Sequence, residues 1–292
     1  MNPERTASLC QLQFISELFE ASWQITRALF RQLVVPWTLF LLVNQIMVLM
    51  VTLPLVFQLN PGGPLNPEFI QNFASGFLTA GGGFVVVLTI LVIYAGLCWL
   101  SIEHVLYTGV WIPPRRFLRH NLHRLPRYLI ACFFYLVSIL CASMLCLVPG
   151  MLVLVIWAPA PFLILSENRS LRQAFRRART VTRVTRPLSR KNGRTFLFWI
   201  LGGIWLIQTS IASGISILSQ GLTLLLKQWY EIQPQWLLII QQVLQVPAVF
   251  VNAVVYVFTL IAVAMIYHQG VLLREAPDLV AILRQWAADA KS

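Results

Sequence analysis

The stretch Glu167–Arg194, ENRSLRQAFRRARTVTRVTRPLSRKNGR, decides how this chain is organised. It holds 10 of the 22 Lys and Arg residues but a single acidic residue, and it lies between two apolar runs that look membrane-spanning. Positive charge concentrated in a short loop marks the cytoplasmic side of a bilayer. The stretch therefore sets the orientation of the runs on either side of it.

Composition places the whole chain among membrane proteins. Hydrophobic residues make up 58% of the 292 residues and charged residues 11%, with a mean hydropathy of +0.74, whereas soluble domains carry about 25% charged residues. The net charge of +12 does not indicate nucleic-acid binding, because the basic residues lie in short loops between apolar runs. None of the five cysteines forms a CxxC pair, so we interpret them as small apolar side chains.

Six apolar runs predict an all-α fold, a polytopic transmembrane helical bundle of about six spans, since about 20 apolar residues suffice to cross a bilayer. The runs are 33–57, 77–100, 128–148, 151–166, 195–226 and 236–271. The predicted organisation is a cytoplasmic amphipathic segment over 1–32, a six-span membrane domain over 33–271 and a cytoplasmic tail over 272–292. Residues 128–166 either cross twice or form a re-entrant hairpin, because run 151–166 is short and contains two prolines.

Glycines and prolines lie within and between these runs. Residues 58–75 are predicted to form a turn-rich loop without Lys or Arg. The triple glycine Gly81-Gly82-Gly83 predicts either a close helix–helix contact or a non-helical break, and Gly202-Gly203 and Ser210-xxx-Gly214 predict close helix packing in run 195–226. Pro247 is predicted to divide the last run.

Two basic segments, 101–127 and 167–194, carry the candidate contact residues. In the second segment Ser170 and Gln173 fit a capping box, so a helix is predicted to begin there and to end before Pro187. A narrow apolar stripe with arginines over much of the remaining surface is typical of a helix that lies in the headgroup plane. The predicted lipid or partner contacts are Arg172, Arg176, Arg177, Arg179 and Arg183, with Arg115, Arg116 and Arg119 in the first segment.

The basic residues also predict the topology. When the loops are assigned alternately to the two sides, one side receives 21 of the 22 Lys and Arg residues and the other side receives one. This asymmetry over short loops indicates that the richer side is cytoplasmic. We therefore expect both termini to be cytoplasmic, in a protein of the inner (plasma) membrane.

No stretch carries a recognisable reaction centre. The sequence lacks HExxH, GxSxG and paired-acid motifs, and His120 and His123 have no third ligand nearby, so we predict no catalytic residue, no metal site and no cofactor. No Asp, Glu, Lys or Arg lies inside a predicted span, which disfavours ion-coupled transport. The neutral polar side chains that could line a path are Asn44, Gln45, Gln208, Asn252 and Tyr256.

The order of parts resembles the bacterial six-span membrane proteins related to the membrane domain of glycerophosphoryl diester phosphodiesterases. One part of the likeness is the amphipathic stretch ISELFEASWQITRALFRQLVVPWTLFLL that runs into the first span. The others are short motifs, in which the matching residues are Glu167, Ala174, Arg176 and Arg177, and then Tyr267, Arg274, Glu275, Asp278 and Leu279. Ala178, Arg179, Gly270, Val271, Leu273 and Ala276 depart from the family pattern. The resemblance implies a plasma-membrane protein, and the phosphodiesterase activity does not carry over because no such domain is present.

These observations leave three functional hypotheses. The first is a non-enzymatic integral membrane protein that binds anionic lipid headgroups, or a membrane protein partner, through its basic cytoplasmic face. The second is a transporter or channel for a small or lipidic solute, suggested by the glycine- and proline-interrupted runs. The third is a membrane-embedded enzyme. The sequence does not give an oligomeric state.

Overall fold

The computed structural model of this chain describes residues 15–58, 67–145, 147–184, 193–230 and 234–275. These residues form helices joined by short turns, with no strand among them, so the predicted all-α class is confirmed. The helices are α1 (Ile15–Ala28), α2 (Phe30–Gln58), α3 (Pro67–Thr108), α4 (Arg115–Asn121), α5 (Leu125–Leu145), α6 (Leu147–Trp157), α7 (Ala160–Ser166), α8 (Leu171–Val181), α9 (Gly193–Tyr230), α10 (Pro234–Leu244) and α11 (Val246–Glu275).

Five helical stretches are long and apolar enough to cross a membrane. They are Val85–Thr108, Arg115–Met144, Pro149–Ser166, Gly193–Leu226 and Ile239–Glu275. A sixth is counted if Ser16–Ala28 and Phe30–Ile46, which meet at a bend, form one span. The described residues therefore have the length and composition of a polytopic integral membrane protein, as the six apolar runs predict.

The predicted loop over 58–75 is too long. Helix α3 begins at Pro67, and residues 59–66 lie outside the described residues. Proline is favoured in the first turn of a helix, where its missing N–H costs nothing. The triple glycine does not interrupt α3, and a Cβ on Gly82 would meet no atom within 4 Å. An unbroken helix keeps every backbone N–H paired, which apolar surroundings require.

The predicted basic loop 101–127 is also largely helical. Helix α3 continues to Thr108, α4 covers Arg115–Asn121, and α5 already begins at Leu125. Gly109 ends α3 with a φ of 80°, and its N–H donates to the Val105 carbonyl at 2.9 Å. This is the left-handed cap that glycine adopts without a steric penalty.

The glycines of α9 do not make the close helix contacts that their spacing predicts. A Cβ on Gly203 or Gly214 would meet nothing within 4 Å, and one on Gly202 would only reach the Met151 Cε at 4.0 Å. A close approach occurs instead at Gly270, where an added Cβ would lie 2.7 Å from Val181 Cγ1 and 2.8 Å from the Val181 carbonyl oxygen. The last helix thus touches the end of α8 at a position with no side chain.

The described contacts divide the chain into two compact units. One comprises Met1–Phe30, Val92–Ile204 and Val257–Ser292, and the other comprises Arg31–Leu91 and Trp205–Tyr256. The core of the first unit is built around Trp99, which is fully buried and stacks on Phe162 with ring centroids 4.5 Å apart. In the same unit α8 packs on α6 and α7, which places the arginine-rich helix against the ends of apolar helices.

Substituting Gly270 with leucine is expected to lower the free energy of unfolding by about 1–2 kcal/mol, the typical cost of overpacking. The added side chain would have to separate α11 from the backbone of α8, which cannot yield as a flexible side chain could. Thermal or denaturant unfolding in mild detergent measures the effect. Gly203→Leu is the matched control, since its site is open, and an equal loss in both variants would contradict the packing argument.

Candidate functional site

The candidate site is the outer face of α8. Arg172, Arg176 and Arg179 lie on α8, and Arg183 lies in the turn two residues after its end. All four are exposed and follow one another at intervals of four, three and four residues, a spacing that places them on one side of the helix and of its last turn. The opposite face carries Ala174, Ala178 and Val181, all buried. The predicted amphipathic helix is therefore confirmed, with a row of guanidinium groups on the side that faces away from the bundle. We call these four residues the arginine row.

Local sequence explains where α8 begins. Ser170 precedes the helix in an extended conformation, and its N–H donates to Gln173 Oε1 at 3.3 Å, so the predicted capping box forms. Asn168 has a φ of 51° and turns the chain sharply between α7 and α8. Asparagine is one of the few residues that tolerate this left-handed conformation. The helix ends at Val181, and Pro187, which was expected to end it, lies outside the described residues.

Arg177 differs from the four residues of the arginine row. Its guanidinium pairs with the Glu275 carboxylate at the end of α11, and its Nε lies 3.6 Å from Glu167 Oε2. Only 15% of its side chain is exposed. The hydrogen bond to Glu275 raises the pKa of Arg177 above the usual arginine range, so the group stays charged at physiological pH. Arg177 was predicted as a lipid or partner contact, whereas the structure uses it inside the protein.

Glu167 is the centre of this internal network. Its carboxylate accepts a hydrogen bond from the Tyr267 hydroxyl and one from Arg169 Nε at 2.9 Å, in addition to its pairing with Arg177. The network joins the turn before α8, the helix itself and the last turns of α11. We call Glu167, Arg177, Tyr267 and Glu275 the α8 lock. Charge-assisted hydrogen bonds are about twice as strong as neutral ones, so the lock fixes how α8 is presented.

No protein-family model matches this chain, and no similar protein was found among curated proteins or solved structures. The site is therefore interpreted from its geometry alone. The α8 lock brings together two segments that are far apart in the sequence, since Glu167 and Arg177 belong to one and Tyr267 and Glu275 to the other.

A second polar cluster lies beside the lock. His268 is buried, its Nδ1 lies 2.5 Å from the Tyr107 hydroxyl, and its Nε2 lies 3.8 Å from Glu103 Oε1. Glu103 was assigned to a loop, but the longer α3 carries it within the stretch Val85–Thr108. The described residues contain no group of three or more His, Cys, Asp or Glu side chains that could hold a metal ion. The cluster links α3 to α11 by polar contacts.

The other predicted contact residues lie on α4. Arg115, Arg116 and Arg119 are exposed, and among the described residues no ion pair joins them to α8. Two further arginines bind backbone instead: Arg124 Nη1 donates to the Leu165 carbonyl at 2.8 Å, and Arg194 Nη2 donates to the Arg179 carbonyl at 2.9 Å. These carbonyls lie in the last turns of α7 and α8, where a positive charge is favoured.

Four of the five neutral polar residues considered for a solute path, Gln45, Gln208, Asn252 and Tyr256, contact other side chains inside the second unit. Gln208 Nε2 donates to Asn252 Oδ1 at 3.0 Å, and Gln45 Nε2 donates to Gln245 Oε1 at 3.0 Å. Tyr256 stacks on Trp37 with ring centroids 5.8 Å apart. Side chains that satisfy each other across helices have the geometry of structural interhelical hydrogen bonds. These contacts favour packing and give transport no specific support.

Several residues of the site were not distinguished by sequence reasoning. Glu103 carries no local motif, Glu275 was noted only as part of the family resemblance, and Arg177 lies in a run of similar arginines. One signal was available: Arg177 is three residues after Ala174 and four before Val181, both on the apolar stripe. Positions at these intervals share a helix face. An arginine beside the buried stripe is therefore expected to need an acidic partner.

Proposed function

We propose that this chain is a polytopic protein of the inner membrane whose arginine row binds anionic lipid headgroups on the cytoplasmic side. The observation that carries the proposal is that the arginines at α8 fall into two groups, one exposed and one held inside the protein. Four arginines are exposed in one row, the opposite face is buried, and the fifth arginine is held by the α8 lock. Among the described residues no ion pair joins these four guanidinium groups to an acidic side chain, which supports a binding role for the row.

The short connections between α8 and the neighbouring membrane-spanning stretches support lipid as the ligand of the arginine row. The stretch Pro149–Ser166 ends five residues before α8 begins, and the stretch Gly193–Leu226 starts shortly after α8 ends. Short connections on both sides keep α8 near the ends of apolar helices, where headgroups are found. Each basic residue near an anionic leaflet contributes about 1 kcal/mol, and the planar guanidinium suits two phosphate oxygens at once. The alternative ligand of the arginine row is a membrane protein partner with an acidic surface.

The orientation and the family relation belong to this proposal. The strong bias of Lys and Arg to one side supports a cytoplasmic location for α8 and for both termini. The resemblance to the membrane domain of glycerophosphoryl diester phosphodiesterases supports a location in the inner membrane. Under this proposal the chain anchors or organises anionic lipid and does not transform it.

Lipid-dependent stability tests the proposal. In a neutral detergent, phosphatidylglycerol is expected to raise the unfolding temperature of the wild-type protein, while phosphatidylcholine has little effect. A ligand at 100 times its dissociation constant stabilises the state that it binds by about 2.7 kcal/mol. Replacing Arg172, Arg176, Arg179 and Arg183 by glutamine should remove most of the shift, and added salt should weaken it.

The control removes two arginine charges, half as many, at a different place in the chain. Arg27→Gln with Arg31→Gln alters two exposed arginines outside α8 and should leave most of the phosphatidylglycerol shift intact. An equal shift with both lipids, or an unchanged shift in the glutamine variant of the arginine row, would rule out specific headgroup binding by α8. A shift produced only by a co-purified protein would assign the row to a partner.

A further inference from the structure

An open cavity lies between α8 and the apolar helices α5 and α6. Its volume is about 310 Å³, and its lining comes from three helices of the first unit. Phe134 and Ser138 belong to α5, Trp157 belongs to α6, and Leu171, Arg172 and Phe175 belong to α8. We call this cavity the α8 groove.

The walls of the groove are apolar and face outward. Phe134 is 50% exposed, and Phe175 meets Trp157 edge to face with ring centroids 5.1 Å apart. The hydroxyl of Ser138 already donates to the Phe134 carbonyl at 2.7 Å. The interior of the groove therefore offers apolar surface and no unsatisfied hydroxyl. Phe134, Ser138 and Trp157 all lie within stretches able to span a membrane, so the groove opens where lipid chains would be found.

The lining of the groove includes one charged residue. Arg172 is exposed, belongs to the arginine row and is the charged residue among the groove-lining residues. A single guanidinium beside apolar walls matches a molecule with an anionic head and a hydrocarbon tail. Ligand sites usually measure about 300–1,000 Å³, so a cavity at the lower limit suits one acyl chain rather than a whole lipid.

We propose that the α8 groove holds one acyl chain of an anionic glycerophospholipid whose phosphate is bound by Arg172. This proposal rests on the proposed function, because it takes α8 to lie at the headgroup level. The groove proposal adds one defined lipid site to the arginine row, which by itself attracts anionic lipid only through its charge. The row as a whole attracts anionic lipid, and the groove retains one molecule by its chain as well as by its head.

Photolabelling tests the groove in the full-length protein reconstituted in phosphatidylcholine vesicles. The probe is phosphatidylglycerol with a diazirine in one acyl chain, and the same acyl chain on phosphatidylcholine is the comparison. Peptides that contain Phe134–Ser138 or Trp157 should be labelled more by the anionic probe, and unlabelled phosphatidylglycerol should compete. Arg172→Gln should reduce this labelling about fivefold, the effect of one basic residue near an anionic headgroup.

Two variants separate the groove from the row. Ser138→Trp should fill the groove and abolish the labelling without changing any charge. Arg27→Gln removes an exposed arginine that belongs neither to the arginine row nor to the groove lining and should leave the labelling within about twofold, because a charge far from the groove is screened. Thermal unfolding of each variant confirms that it remains folded.

The outcomes distinguish the two proposals. Equal labelling by both probes, or labelling unchanged by Arg172→Gln and Ser138→Trp, overturns the groove, since lipid then contacts this surface without a site. If phosphatidylglycerol still raises the unfolding temperature through the arginine row in that case, the proposed function stands without the groove. If the wild-type protein shows no phosphatidylglycerol shift and no preference for the anionic probe, both proposals fail.

Discussion

Replacing Arg177 with alanine is expected to lower the free energy of unfolding by about 3 kcal/mol, the lower end of the cost of breaking a buried ion pair. The substitution leaves the Glu167 and Glu275 carboxylates without their shared partner, and these carboxylates are 23% and 47% exposed. Partial exposure reduces the penalty below that of a fully buried charge. Denaturant unfolding in mild detergent measures the loss.

The neighbouring arginine provides the control for this prediction. Arg176→Ala removes the same side chain one residue away, but from the exposed row. It should change the free energy of unfolding by less than about 0.5 kcal/mol, as surface substitutions usually do. Similar losses in the two variants would show that Arg177 is not held by the α8 lock. The pair of variants thus separates the internal arginine from the external ones.

Replacing Trp99 with alanine is expected to have the largest effect on stability, about 3–5 kcal/mol. Trp99 is fully buried, and its ring lies nearly parallel to that of Phe162, with an interplanar angle of 5°. It also contacts Tyr267 of the α8 lock, with ring centroids 6.3 Å apart. Removing the indole leaves a cavity among α3, α7 and α11 and forfeits the dispersion contacts that hold helices together in lipid.

Trp199→Ala is the matched control for the Trp99 prediction. Trp199 is 58% exposed on α9, within the stretch Gly193–Leu226. Its loss should cost much less, because no packed cavity is created. The two variants can be compared by thermal unfolding in the same detergent. A loss at Trp199 as large as that at Trp99 would contradict the assignment of the core of the first unit to the Trp99 cluster.

The fold class and most helices follow from the sequence because lipid imposes a simple rule. A long apolar segment must satisfy its own backbone hydrogen bonds, so runs such as 195–226 form helices. The same rule explains the errors. The triple glycine predicted either a close helix–helix contact or a break, but a break in apolar surroundings would leave backbone groups unpaired, and α3 continues through it. Helix ends near polar residues were predicted less accurately. The run 77–100 was predicted to end at Leu100, but α3 continues to Thr108.

The site was predicted in part. The capping box of Ser170 and Gln173 and the arginine row are local patterns, since they depend on residues within three or four positions of one another. The α8 lock is not local: Tyr267 lies 100 residues beyond Glu167, and no spacing rule links them. The role of Gly270 also depends on a distant neighbour, Val181, which one sequence does not reveal.

The most direct measurement of the central claim is the lipid that stays with the protein on extraction into polymer discs. Mass spectrometry should find anionic phospholipid around the wild-type protein at a higher fraction than in the bulk membrane. Replacing Arg172, Arg176, Arg179 and Arg183 by glutamine should return this fraction to the bulk value while the protein remains folded. The same anionic fraction around both proteins would contradict the claim that the exposed face of α8 binds anionic headgroups.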